Sequence, residues 1–140
     1  MKSKSLLLGL ALGQALGLSA LADDWPQWLG AERNGVSAET GLLAEWPEAG
    51  PDVLWRAKLG KGFSGIAVVG DHIYTMYAET GSEYAACLNA ADGEVVWRVK
   101  TGDYYQEKQG GDGPRSTPTV DGEVVYVLSA EGTLYSLTAD

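Results

Sequence analysis

The one nucleotide-type motif in the chain is Gly60-Lys61-Gly62-Phe63-Ser64-Gly65, a literal GxGxxG run. To hold a pyrophosphate, such a run needs a helix directly after it, whose N-terminus supplies the unpaired N–H groups. Ile66-Ala67-Val68-Val69-Gly70-Asp71 follows instead, and β-branched residues ending in a turn pair read as a strand. A kinase glycine-rich loop does lie between strands, but the other kinase motifs are missing. The run is read as a hairpin or inter-blade loop. His72 is the sole histidine and Cys87 the sole cysteine, so a zinc set, an internal disulfide and a CxxC site are all excluded. His72 follows a turn and is expected to face solvent. Cys87 lies in a small, apolar stretch and is expected to be a buried, inert thiol. The acids do not have EF-hand spacing. No residue qualifies as catalytic and none as a metal ligand.

Two groups can do binding chemistry. Arg115, in Gly110-Gly111-Asp112-Gly113-Pro114-Arg115-Ser116-Thr117, carries a fork of donors that suits a carboxylate. The competing reading is that it ties neighbouring blades together through backbone carbonyls or an acid. Trp25 and Trp28 would suit a sugar ring if exposed, although packing against a neighbouring surface is the commoner use of tryptophan.

These residues must be positioned by short strands. Nineteen glycines in 140 residues, about twice ordinary usage, imply many tight turns. From Val53 onward the chain divides into runs rich in β-branched and aromatic residues: Val53–Arg56, Ile66–Val69, Ile73–Tyr77, Tyr84–Leu88, Val95–Val99, Thr117–Val120, Val124–Leu128 and Thr133–Leu137. Gly70-Asp71, Asp92-Gly93 and Asp121-Gly122 supply turns between them. No stretch after Val53 has a convincing helical period. Residues 23–52 read as an extended leader that pins its tryptophans onto a neighbouring surface, with one helical turn at most between Glu39 and Glu45.

The runs repeat. Leu54-Trp55-Arg56-Ala57-Lys58 recurs 42 residues later as Val96-Trp97-Arg98-Val99-Lys100. Val69–Tyr74 resembles Val120–Tyr126, and Tyr84–Ala90 resembles Leu134–Ala139. The unequal spacings place one longer connection at residues 101–115. Four strands in roughly 40–50 residues is the mark of a propeller blade. Residues 53–140 are expected to form about two blades, the second one strand short, which reads as the N-terminal piece of a longer protein.

The first 22 residues read as an address. Lys2 and Lys4 precede an apolar run from Leu6 to Leu18, and Ala20-Leu21-Ala22 fits a small-x-small cleavage site. The apolar run is too short to span roughly 30 Å of hydrocarbon. Cleavage after Ala22 would leave a periplasmic or secreted chain without a membrane anchor, its net charge changing from −9 to −11 as two lysines are lost. That balance argues against nucleic acid as a partner.

Cys87-Leu88-Asn89-Ala90-Ala91-Asp92-Gly93-Glu94-Val95-Val96-Trp97 resembles the hallmark of the pyrroloquinoline-quinone (PQQ) repeat-like β-propeller family, a turn leading into a strand that ends in Trp. Asp24-Trp25-Pro26-Gln27-Trp28 and Gly113–Val120 are similar to exported bacterial members. The resemblance implies an all-β partial β-propeller of PQQ-like repeats, about two four-stranded blades and not a closed ring. It implies that Trp55 and Trp97 dock on neighbouring blades, and that Val53–Lys58 is an outer strand of a blade completed by the C-terminal part of the longer protein. It places Arg115 near the central channel, where PQQ, a tricarboxylate, would be a ligand. Family members include PQQ- and Ca²⁺-dependent dehydrogenases, which also need an Asp base and in some cases an adjacent-Cys disulfide, and non-enzymatic scaffolds such as an outer-membrane assembly lipoprotein. Fold does not decide between them. The expected function is an exported scaffold binding a protein or small-molecule ligand at its loops or channel. The alternatives are part of a quinoprotein alcohol or sugar dehydrogenase, and a carbohydrate-binding module using Trp25 and Trp28.

Overall fold

The structure, a computed structural model, describes residues 23–140; the expected signal segment 1–22 lies outside the described residues. Seven strands form two antiparallel meanders and no helix is present among the described residues. The first sheet has the order β1 (Ala67–Val69), β2 (His72–Glu79), β3 (Ser82–Asn89), β4 (Val95–Asp103). The second has the order β5 (Thr119–Asp121), β6 (Val124–Leu128), β7 (Leu134–Thr138). The chain is thus all-β, a partial propeller of two blades rather than a closed ring.

Turn chemistry sets the registers. Gly70, at φ +53°, opens the turn that closes Val69 against His72. Thr80 and Gly81, at +53° and +81°, make the two-residue turn that closes Glu79 against Ser82; positive φ at both positions gives the twist a hairpin needs. In the second sheet the turn residues are Gly122 and Glu123, with Asp121 paired to Val124. That is one residue later than the Asp121-Gly122 pair suggests.

Side-chain alternation then sorts the first sheet into two faces. Ala67, Tyr74, Met76, Ala85 and Cys87 form one buried cluster with Val120, Val125 and Val127 of the second sheet. Tyr77, Ala86 and Leu88 point the other way and pack with Leu59, Ile73 and Tyr84. Each large apolar side chain so buried contributes about 1.5–3 kcal/mol. The first sheet thus packs apolar side chains on both faces of β2 and β3, while its outer strand β4 leaves Val95, Val96 and Val99 exposed.

Two expectations differ from what is found. Val53–Arg56 is not a strand: it has no ladder partner among the described residues, and Leu54 is 87% exposed. Of the leader's tryptophans, Trp25 is the one drawn into a sheet, and Asp24 Oδ1 beside it accepts from the Gly70 N–H at 2.8 Å. Trp25 exchanges backbone hydrogen bonds with Val68 of β1 at 2.7 and 2.9 Å, and its ring lies against Gly30. The next carbonyl, Pro26, accepts from Val120 of β5 at 2.8 Å. Turns with positive φ at Leu29, Gly30 and Arg33 then lead the chain away, leaving Trp28 and Trp46 exposed.

Candidate functional site

The connection from Tyr104 to Pro118 is organised by one carboxylate. Asp112 accepts from the Tyr104 hydroxyl at 2.8 Å and from the Glu107 N–H at 3.3 Å, and pairs with Lys61 at 3.4 Å. The Tyr104 and Glu107 hydrogen bonds, with Lys61 adding to them, hold its carboxyl below the usual carboxylate range. Lys61 is raised in turn, chiefly by Tyr104 and then by Asp112. Backbone bonds complete the frame: Phe63 N–H donates to Pro114 O at 2.8 Å, and Gly113 N–H to Tyr105 O at 3.0 Å. The glycine-rich run at 60–65 is therefore a loop that ties the first sheet to this connection. Lys61 pairs with Ala78 of β2, and the Ser64 hydroxyl accepts from the Met76 N–H at 3.2 Å.

Arg115 sits on this frame. It donates to Gly111 O at 2.7 Å and to Gly113 O at 3.4 Å. Its guanidinium lies 5.5 Å from the Phe63 ring centre and 5.8 Å from that of Tyr105. The carbonyls belong to its own loop, so Arg115 staples that loop rather than tying one blade to the next through carbonyls. Beside it opens a cleft of about 770 Å³, bordered by Tyr105, Glu107, Ser116 and Leu128. Ser116 donates to Leu128 O within its wall. Ser129 and Ala130 form part of the same wall. Behind them lies Glu83, 1% exposed, whose Oε2 accepts from Ala130 N–H at 3.3 Å while Oε1 has no hydrogen-bond partner.

Neither tryptophan of the repeat lies in the cleft. Trp97 Nε1 donates to Ala139 O at 3.2 Å, just past the end of β7, and its ring stands 6.1 Å from Tyr74, whose hydroxyl donates to the same carbonyl at 3.0 Å. Trp55 Nε1 donates to Ala90 O at 2.9 Å. Its ring occupies the space above Gly93, where φ is +77° and a Cβ would stand 2.5 Å from the indole. The β3–β4 turn needs glycine there both for its conformation and for the approach of Trp55.

The remaining candidates fall outside any common site. His72 opens β2, half-buried and stacked 6.2 Å from Tyr74, where a solvent-facing turn position was expected. Cys87 is fully buried, and burial pushes its thiol up to about 11. Trp28, 64% exposed, borders a small hollow of about 300 Å³ with Gln27 and Arg33, whereas Trp25 is half-buried. Among the described residues no group of three His, Cys, Asp or Glu could hold a metal ion. Sequence reasoning passed over Asp112, Tyr105 and Phe63, since only their contacts with Lys61 and Arg115 mark them.

Meander sheets stacked face to face, with a strand-borne Trp on the next sheet, define a propeller-repeat protein. A family model described as outer membrane protein assembly factor BamB matches residues 41–140. The chain belongs to that family of PQQ-like repeat proteins. No curated protein matches the chain.

Proposed function

We propose that the chain is an exported binding scaffold whose rigid blades present the Tyr104–Pro118 loop and its cleft to a protein or small-molecule ligand. The observation that carries this reading is the loop itself. Asp112 and Arg115 use hydrogen bonds to hold its backbone in one shape beside an open cleft, and a preformed surface binds at lower ordering cost. Arg115 keeps donors beyond the two bonded to carbonyls, which suits a carboxylate in the ligand. Trp55 and Trp97 act as blade-docking residues. The chain works in the periplasm or outside the cell after cleavage at Ala22, with no nucleic-acid partner. The family description, which concerns outer-membrane protein assembly, supports an envelope role.

The dehydrogenase reading needs a calcium site of carboxylate and amide oxygens; the cleft is lined by one carboxylate, Glu107, and one amide side chain, Gln109, with Glu107 Oε1 accepting from the Gln109 N–H. Among the described residues no cluster of three His, Cys, Asp or Glu joins them, so that reading draws its metal ligands from further blades. Trp28 favours the carbohydrate reading more than Trp25 does, because only an exposed indole offers a face for stacking.

A photo-crosslinking residue placed at Gln109 tests the scaffold in intact cells. A discrete protein adduct, reduced by Arg115→Ala, is expected. Dye reduction dependent on added PQQ and Ca²⁺ would overturn the reading in favour of the dehydrogenase. Glycan binding abolished by Trp28→Ala would favour the carbohydrate module.

A further inference from the structure

Glu83 is the largest fully buried side chain among the described residues, 1% exposed. It stands on β3 in step with Ala85 and Cys87, so it faces the second sheet. Thr101 is the one buried residue of β4, in step with Trp97 on that same face. The β3–β4 ladder pairs Glu83 with Gly102 and Tyr84 with Lys100, which leaves Thr101 as the extra residue of a bulge. In a bulge two successive residues oppose one, so Thr101 and Gly102 are both set against Glu83.

The second sheet meets this point with polar groups of its own. The Ala130 N–H donates to Glu83 Oε2 at 3.3 Å, and the Tyr135 hydroxyl donates to Thr101 O at 2.8 Å. Ser129 is buried too, and a Cβ on Gly102 would stand 4.0 Å from its Cβ. Ser129 Oγ accepts from the Thr133 N–H at 3.1 Å, and its hydroxyl still has a proton to donate. Yet two buried atoms in this seam have no hydrogen-bond partner, Glu83 Oε1 and Thr101 Oγ1. They are adjacent but not bonded to each other. Among the described residues no lysine or arginine pairs with Glu83.

A buried polar atom left without a partner destabilises a fold, and a carboxylate oxygen does so most. One small molecule that donates to the first atom and accepts from the second relieves both. A cation would be held by the two oxygens but would leave the Thr101 hydroxyl proton without an acceptor. Water meets both demands, and buried waters take two to four polar partners, of which Ser129 offers a third. We propose that a single water is bound in the seam between the sheets, donating to Glu83 Oε1 and accepting from the Thr101 hydroxyl. It ties one oxygen of Glu83 to the first sheet while the other holds Ala130. The cleft wall formed by Ser129 and Ala130 is thereby fixed from behind. Every group involved belongs to these two sheets and their turns, so the site needs no further blade and is independent of the cleft's ligand.

Two substitutions separate the water from the fold. Thr101→Val keeps the side chain's shape and the carbonyl that Tyr135 uses but removes the hydroxyl, whereas Thr101→Ser keeps the hydroxyl. Oxygen-17 relaxation dispersion of water, measured on the full chain at low ionic strength, is expected to count one long-lived internal water fewer in Thr101→Val. Thr101→Ser should match the parent. Exchange of the Ala130 amide should quicken at least about fivefold in Thr101→Val, because Glu83 is then held through one oxygen alone. An equal water count in the parent and Thr101→Val would overturn the proposal, as would an equal loss in both variants or an unchanged Ala130 amide. Stability that requires sodium or potassium, with choline at the same ionic strength as the control, would overturn it in favour of a bound cation.

Discussion

Cys87 and Tyr74 face each other across β2 and β3, and both side chains resist losing a proton. Burial raises Cys87 from 9.0 to about 11, and burial, then the charge a Cys87 thiolate would carry, raises Tyr74 from 10.0 to about 12. For groups whose folded value is raised, stability is full below the unfolded value and is lost as pH climbs through the folded one. Urea midpoints should therefore fall from about pH 9 upward, and Cys87→Ala should flatten the part of that fall below pH 11. A midpoint that falls equally in both proteins would refute the assignment. Trp97 is the other residue on which the core depends. Trp97→Ala removes the donor to Ala139 O and the ring beside Tyr74, and should cost about 3–5 kcal/mol in chemical denaturation. Trp97→Phe should recover part of that loss, because the ring remains while the hydrogen bond does not.

At the scale of the element, the β2–β3 hairpin carries a local conflict. Thr80 adopts φ +53° in a turn whose second residue, Gly81, is at +81°. A β-branched residue is disfavoured in that region, and Asn before Gly is the favoured pair for such a turn. Thr80→Asn should stabilise the protein by about 1 kcal/mol, read as a raised Tm; an unchanged or lowered Tm would show that Thr80 makes a compensating contact. The Tyr104–Pro118 connection behaves differently, since a side chain holds it. Asp112→Ala deprives Tyr104, Lys61 and the Glu107 N–H of one shared acceptor. It should increase hydrogen exchange across residues 104–115 more than in β2 or β3, which retain their ladders.

Among the described residues, β4 and β7 each leave one edge unpaired, and Tyr126, Leu128 and Leu134 leave a face of the second sheet exposed. Unpaired strand edges template association. The purified protein is expected to associate or aggregate through the second sheet, and a sharp, cooperative melt as a monomer would be incompatible with that. The net charge of −9 opposes close approach at low ionic strength. Added salt should therefore strengthen association in sedimentation experiments, because it screens the repulsion between exposed charges. If salt instead weakened association strongly, ion pairs between copies would be what holds them together.

What the sequence by itself determined is the local grammar. Seven of its eight strand runs correspond to strands, because alternation of apolar residues and glycine-bearing turns are properties of neighbours along the chain. The recurrence of Trp55 at Trp97 was equally legible, since a repeat is a pattern in one dimension. Tertiary structure decided the rest. Val53–Arg56 has a strand's composition but no partner to bond with, and a ladder requires two strands. Trp25 and Trp28 differ in exposure although they are three residues apart, because only Trp25 is drawn against β1. Arg115 became a staple of its own loop once Gly111 and Gly113 turned their carbonyls toward it, and Asp112 became the loop's anchor through Tyr104 and the Glu107 N–H, with Lys61 added from a segment distant in sequence. Composition and spacing report what a residue can bond to; which groups it meets depends on how the sheets stack.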